Sequence, residues 1–258
     1  MEVHAHTHTP RKKWTHYFWE FLMLFLAVFC GFLAEYQLEH KIEHDREKQF
    51  MHSMLKDLEL DTVTINFTMN GNTGVLNGID TLLDLIAKPT KYADFDKNLF
   101  LYSIKYTYWF FTVEFSELTL SQLKNSGGYR LIKNKDVAAG IADYAQAMEA
   151  CRYQLSETTQ YFHVFEHTQK DIINMTLAKE AFNWFAEDVS NVLSPMQEVE
   201  NRIEKGEYIL PGASKHFPRY YSDLLFYSTT LMNLNRLIET QKLKAKKLIE
   251  LINKSYRL

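Results

Sequence analysis

The chain has 258 residues, a formal net charge of −3 at pH 7 and two cysteines. A charge so close to neutrality argues against nucleic acid as a partner, and Cys30 and Cys151 alone imply no intrachain disulfide framework. With only 9 glycines and 5 prolines, the composition favours long helices, because both residues disrupt a helix interior.

The chain begins with a polar leader, residues 1–16, which we predict to be disordered. His4, His6 and His8 alternate within it. Histidine tracts of this kind bind transition metals loosely. The alternative is a leader with no structural role, so the three histidines are weak metal candidates.

An apolar block runs from Phe21 to Ala34. With the aromatic residues at its edges, segment 17–38 is long enough for a transmembrane helix, which needs about 20 residues. A cleavable signal peptide is disfavoured because Phe32 lies two residues before Ala34, which leaves no small-x-small cleavage site. A buried core helix is the third interpretation. The transmembrane helix is the preferred interpretation, so the first predicted partner is the lipid bilayer.

The orientation of the span depends on its flanking lysines and arginines. Each flank carries three, and the cluster from Arg11 to Lys13 is the tighter one. We therefore expect a cytoplasmic N-terminus, with residues 39–258 forming a helical extracytoplasmic domain. Within the span, Ala27 and Gly31 are four residues apart. Small residues at this spacing let two helices approach closely, although coincidence explains the spacing equally well.

The helix predicted to leave the membrane, the stalk, carries two adjacent charge stripes. The acidic stripe has a glutamate every fourth residue from Glu35 to Glu47, and the other stripe consists of His40, His44, Lys48 and His52. A solvated stalk is the simplest interpretation, and pH dependence is the alternative because histidine titrates in the physiological range.

The charges of the stalk and of the C-terminus are complementary. Residues 35–61 hold eight acids and four Lys/Arg, a sum of −4, and residues 239–258 hold two acids and six Lys/Arg, a sum of +4. An antiparallel pairing of the two segments would match these charges. Complementation of the helix dipole or attraction to anionic lipid headgroups would also explain the basic end.

Helix-breaking residues divide the predicted domain. Residues 70–74 (NGNTG) predict a loop or helix break, and residues 88–90 predict a helix end at Pro89. Residues 125–128 (NSGG) predict a helix stop with a left-handed glycine. Three prolines make residues 194–218 the expected irregular connection.

Aromatic residues concentrate in residues 99–113 and 161–185. Lys105 interrupts the first stretch, which is too short for a second span, so we predict a buried aromatic helix. A ligand pocket lined by these aromatic residues is the alternative.

The last helix, predicted from about Tyr220, carries a heptad-like apolar stripe. An amphipathic helix of a bundle is the first interpretation, and a coiled coil with another chain is the second. The residues that would then mediate oligomerisation, together with Ala27 and Gly31, are Leu224, Leu231, Leu234 and Ile238.

The spacing H-x-x-E-H, typical of inverted zinc peptidases, occurs twice. The first copy, with His40 and His44, follows the span, where no cleft is expected. The second, with His163 and His167, has no recognisable third ligand. Chance is the main interpretation, so all four histidines are weak metal candidates. The chain lacks a nucleophile elbow, a P-loop, a dinucleotide fingerprint and a paired-cysteine zinc site, and we predict no enzyme and no cofactor.

Three segments resemble a family of uncharacterised single-span proteins of Bacteroidota-type bacteria: the opening MEVHAHTH, the span EFLMLFLAVFCGFLAE with the stalk that follows it, and LKNSGGYRLIKNK at residues 123–135. The likeness is close over the first 62 residues and fair over residues 118–144. It implies a bacterial inner-membrane protein with a helical periplasmic domain, and it supplies no activity and no catalytic residues.

Together these patterns predict an all-α protein, in which one N-terminal transmembrane helix continues into a stalk helix and an antiparallel helical bundle. The predicted function is a membrane-anchored interaction or scaffold protein that associates with itself or with another membrane protein. The alternative is a membrane-bound sensory module that binds a small ligand in an aromatic helical pocket.

Overall fold

The computed structural model describes residues 14–258. Seven α-helices account for most of this range, and the described residues form no β-sheet beyond an isolated antiparallel bridge between Ile173 and Ile209. The helices are α1 (Trp14–Ala87), α2 (Phe95–Tyr106), α3 (Leu118–Asn125), α4 (Lys135–Lys170), α5 (Lys179–Glu187), α6 (Met196–Glu200) and α7 (Phe217–Tyr256). The predicted all-α class, with a long N-terminal helix followed by a helical bundle, is confirmed.

The chain divides into two compact units, with the boundary between Phe50 and Met51. The first unit contains residues 17–38 of α1, which we call the apolar segment. The second unit, Met51–Leu258, contains the remainder of α1 and the other helices, and we call it the bundle.

Helices α4 and α7 form an antiparallel pair at the centre of the bundle. The Asn134 amide donates to the Ser255 hydroxyl (2.9 Å) at one end, and the Thr168 hydroxyl donates to the Asp223 carboxylate (2.7 Å) toward the other. The heptad-like stripe of α7 is buried along this pair. Its buried members are Leu224, Tyr227, Leu231, Leu234, Ile238, Gln241, Ala245, Leu248 and Ile252.

The break predicted at residues 70–74 is wrong, because α1 continues through it to Ala87. The glycine at position 71 is required by packing: a Cβ there would lie 2.3 Å from the ring of Phe111. Asn72 is fully buried, and its side chain hydrogen-bonds the backbone of Phe111. Gly71 and Asn72, which are residue types that normally signal a turn, therefore allow α1 to pack closely against the segment that contains Phe111.

The aromatic helix predicted over residues 99–113 is correct only in its first half. Helix α2 ends at Tyr106, and residues 107–117 have no helical structure. The segment after Tyr106 lies against α1, whose side chains bind its backbone, so those hydrogen bonds replace the ones a helix would have formed.

The other boundaries agree with their sequence signals. α1 ends at Ala87, before Pro89, and α3 stops at Asn125, with Gly127 at a φ of 65°. The helical elements within residues 194–218 are the short helix α6, a 3₁₀ turn and the first two residues of α7. α7 begins at Phe217, three residues before the predicted Tyr220.

Candidate functional site

The apolar segment of α1 is exposed along its length. It is long and apolar enough to cross a membrane, and none of its most apolar window is buried within the protein. Phe25 is 52% exposed and Phe32 is 66% exposed. A core helix would be covered by its own protein, so the interpretation as a buried core helix is wrong for this segment.

Two faces of the apolar segment differ in character. On one face the rings form a ladder, with centroids 6.3 Å apart for Phe21 and Phe25 and 5.9 Å apart for Phe25 and Phe29. At about 100° of rotation per residue, Ala27, Cys30 and Gly31 project from the opposite half of the helix. A Cβ at position 31 would have no neighbour within 4 Å, and the Cys30 thiol is exposed. The second face is therefore open to a close neighbour.

The stalk places its histidines beside its glutamates, as the adjacent stripes predict. His40 lies 3.8 Å from Glu43, and His44 lies 3.6 Å from Glu47. Both contacts join residues three apart on one helix.

In the second H-x-x-E-H copy, the side chain of the glutamate contacts basic residues of its own helix. Glu166 accepts hydrogen bonds from Lys170 (2.6 Å) and from His163 (3.4 Å), and these contacts, that with Lys170 first, lower the pKa of its carboxyl group. No group of three or more metal-ligating side chains occurs within residues 14–258. The candidates His4, His6 and His8 lie outside the described residues.

A row of polar side chains on α1 holds the non-helical segment that follows α2. We call Asp57, Asp61, Thr68 and Asn72 the polar seam. Their spacings of four, seven and four residues place them on one helix face.

Each member of the polar seam binds backbone of this connection or of the start of α3. The Asn72 amide group donates to the Phe111 carbonyl (2.9 Å) and accepts from the Phe111 N–H (2.7 Å). The Thr68 hydroxyl donates to the carbonyl of Thr112 (3.1 Å), and Asp61 accepts from the N–H of Ser116 (2.7 Å). The remaining member, Asp57, accepts from the N–H of Thr119 (3.1 Å).

Asp61 also joins α1 to α4 and α7. The Tyr144 hydroxyl donates to the second Asp61 oxygen, and Gln241 donates to the Tyr144 carbonyl (3.1 Å). Burial raises the pKa of the Asp61 carboxyl group, although its hydrogen bonds with Tyr144 and Ser116 oppose the rise. Nearby, burial raises the pKa of the Cys151 thiol to about 11. A thiol with that pKa is protonated at neutral pH and is a poor nucleophile.

The two aromatic stretches meet inside the bundle, and their rings pack against one another. Ring centroids lie 4.8 Å apart for Tyr108 and Phe182, and 5.4 Å apart for Phe110 and Phe162. Two polar atoms beside this cluster, the Tyr227 hydroxyl and the Gln169 amide nitrogen, are buried and have no hydrogen-bond partner within residues 14–258.

The α7 residues expected to mediate oligomerisation are covered by the chain itself. Leu224, Leu231, Leu234 and Ile238 are each at most 2% exposed in the single chain. Their heptad spacing therefore describes packing within the bundle, and a second copy cannot reach them while the bundle is folded. Ala27 and Gly31 remain exposed.

Sequence reasoning missed the polar seam. Its members are common residue types whose only signal is their recurrence at helical spacing inside an apolar pattern, and their backbone partners have no sequence signature. Comparisons with protein-family models, curated proteins and solved structures found no match.

Proposed function

We propose that the chain is a membrane-anchored helical scaffold protein, with residues 17–38 as the anchor and the bundle as its water-exposed part. The observation that carries the proposal is the exposed apolar segment of α1. At 1.5 Å per residue this segment is about 33 Å long, which matches a hydrocarbon core of about 30 Å. An apolar surface of this size is rare on a soluble monomer.

The proposed orientation keeps the N-terminus in the cytoplasm of a bacterium and the bundle in the periplasm. The support is the compact basic cluster from Arg11 to Lys13 directly before the anchor. The resemblance to single-span inner-membrane proteins favours the same arrangement.

Self-association is assigned to the anchor helix. Its small-residue face, with Ala27 and Gly31, would let two helices pack closely while the ring ladder faces lipid. Because the α7 stripe is buried within the bundle, we assign the small-residue face as the site that contacts a second copy or the helix of another membrane protein.

The native cysteines make the proposal testable without introducing a probe. Cys30 lies on the small-residue face and is exposed, whereas Cys151 is buried. Membranes that contain the full chain are washed with alkaline carbonate and then treated with a copper–phenanthroline oxidant. We expect the chain to stay in the washed membranes and to form a disulfide-linked dimer.

Matched variants identify the interface. We expect Cys151→Ser to keep the dimer and Cys30→Ser to lose it. Gly31→Leu should weaken cross-linking, because its side chain would separate the helices, whereas Val28→Leu, toward the ring-ladder face, should not. Release of the chain by carbonate would refute the anchor, and undiminished cross-linking in Gly31→Leu would refute the assigned face.

A second proposal is a sensory module, and the buried Tyr227 hydroxyl and Gln169 amide nitrogen favour it. Buried polar groups are normally hydrogen-bonded, so a small polar ligand beside the aromatic cluster would supply the missing partners. A metabolite that raises the melting temperature of the full chain but not of Tyr227→Phe would support it. A full screen without such a compound would reject it.

A further inference from the structure

The fold brings two strongly basic segments to one end of the bundle. Residues 124–135 contain Lys124, Arg130, Lys133 and Lys135 and no acid, and residues 242–257 contain six Lys/Arg and one acid, Glu250. The hydrogen bond between Asn134 and Ser255 (2.9 Å) joins them. We call seven exposed lysines and arginines of these segments the basic end: Lys124, Arg130, Lys135, Lys246, Lys247, Lys254 and Arg257.

Carboxylates of the bundle neutralise this charge only in part. Asp136 and Asp143 line a groove of about 500 Å³ together with Lys244 and Lys247. The ion pairs described within residues 14–258 nevertheless involve other basic side chains, so no carboxylate lies within 4.0 Å of Lys135, Lys246 or Lys254. Like charges gathered in this way repel one another, and an anionic surface would relieve the repulsion.

The basic end lies at the same end of the bundle as Met51, where the chain enters it. Asn235 of α7 contacts Asn72 of α1 (3.1 Å), while Gln241, further along α7, contacts Tyr144, the residue bound to Asp61. Following α7 toward its C-terminus thus means moving back along α1 toward Met51. The twelve residues that connect this point to the apolar segment, residues 39–50, belong to α1 and measure about 18 Å along the helix at 1.5 Å per residue. Such a tether gives the basic end a high effective concentration at the bilayer surface.

We propose that the basic end docks on anionic phospholipid headgroups of the bilayer that holds the anchor. The inference rests on the proposed membrane anchoring and adds the chemistry of a second contact. Clustered lysines and arginines close to a membrane are attracted to its negative surface potential, over a distance set by a Debye length of about 8 Å at physiological salt. The contact would hold the bundle against the membrane and make its position depend on lipid charge.

Lysine labelling of the full chain in lipid nanodiscs tests the proposal. Nanodiscs contain either phosphatidylcholine alone or phosphatidylcholine with phosphatidylglycerol, and a membrane-impermeant acylating reagent is mapped by mass spectrometry. The internal control is the exposed Lys215, just before the N-terminus of α7 and about 60 Å along that helix from its C-terminal end. With phosphatidylglycerol, we expect Lys246, Lys247 and Lys254 to react about fivefold more slowly, with no change at Lys215. The protection should disappear in 1 M salt, where the Debye length is about 3 Å.

Two triple variants separate the basic end from overall charge. Lys135→Gln/Lys246→Gln/Lys254→Gln removes three charges from it and should abolish the lipid-dependent protection of Lys247. Lys179→Gln/Lys205→Gln/Lys215→Gln removes three exposed charges elsewhere and should leave that protection intact. Both variants keep the core unchanged, and equal melting temperatures verify that they fold.

The labelling experiment distinguishes failure of the docking from failure of the membrane anchor. If the chain does not co-purify with either kind of nanodisc, the membrane anchor itself is refuted. If the chain co-purifies but its basic end reacts equally in both lipids, the docking is refuted and the anchor stands. Equal protection of Lys215 and the basic end would indicate non-specific adsorption and would also refute the docking.

Discussion

Replacement of Gly78 by alanine tests the close packing of α1 against α2. A Cβ at position 78 would lie 2.1 Å from the Cγ atom of Tyr106 and 2.3 Å from its Cδ2 atom. Because Cγ is the base of the ring, the ring cannot evade the new atom by rotating about its own axis. The backbone near the end of α2 or the side-chain rotamer of Tyr106 must change instead.

The matched control is Gly74, which lies on the same helix and whose Cβ would have no neighbour within 4 Å. Alanine in place of a helical glycine stabilises by about 1 kcal/mol, so we expect Gly74→Ala to be more stable by about that amount. The same gain is available at Gly78, but overpacking of a tight contact costs about 1–3 kcal/mol and occasionally more. For contacts as short as 2.1 Å we take the upper part of that range, which predicts a net loss of about 1–2 kcal/mol for Gly78→Ala.

The assay is thermal unfolding of the full chain in mild detergent, followed by helical circular dichroism. For a domain of this size, 1 kcal/mol corresponds to about 2–4 °C, so the two variants should move the melting temperature in opposite directions. A double-mutant cycle with Tyr106→Ala isolates the cause, because Gly78→Ala should become stabilising once the ring is gone. The reasoning is refuted if Gly78→Ala melts at or above Gly74→Ala, or if the loss persists without the ring.

Three further predictions concern the interior of the bundle. Asn72→Ala leaves the buried N–H and C=O of Phe111 without partners and should cost about 2–4 kcal/mol in urea unfolding, whereas the exposed Asn77→Ala should change stability by less than about 0.5 kcal/mol; similar losses in both would contradict the role of the polar seam. Because the folded state raises the pKa of Asp61, ionisation of this carboxyl group opposes folding, so the unfolding free energy of the wild type, relative to Asp61→Asn, should fall as pH rises from about 4 through the folded-state pKa; a difference that is flat or grows with pH would contradict this sign. Thiol titration of the Cys30→Ser variant with Ellman's reagent should modify Cys151, which is 3% exposed, only after denaturation; rapid modification of the folded variant would show that Cys151 is accessible.

Local signals in the sequence were sufficient for the helical class and for most of the helix ends. Pro89 and Gly127 act through their own backbone preferences, so the boundaries beside them could be predicted without the fold. The burial of the α7 stripe could also be predicted, because its spacing follows the geometry of one helix.

The errors arose where a local preference was outweighed by a distant partner. Glycine and asparagine at 71 and 72 normally favour a turn, yet α1 stays helical there because Phe111 packs on one and hydrogen-bonds the other. The residues after Tyr106 have an aromatic pattern suited to a buried helix, but the polar seam binds their backbone in a non-helical conformation. Neither outcome has a signal within a short window of sequence.

The sequence by itself determined that an apolar helical segment precedes a mostly helical domain, since hydrophobicity and helix breakers act over a few residues. Only the tertiary structure decided which surfaces remain available. It covered the α7 leucines within the chain, left the small-residue face of the apolar segment open, and joined two basic segments that lie more than a hundred residues apart. Exposure and charge clustering depend on which helices pack together, and that is a property of the whole fold.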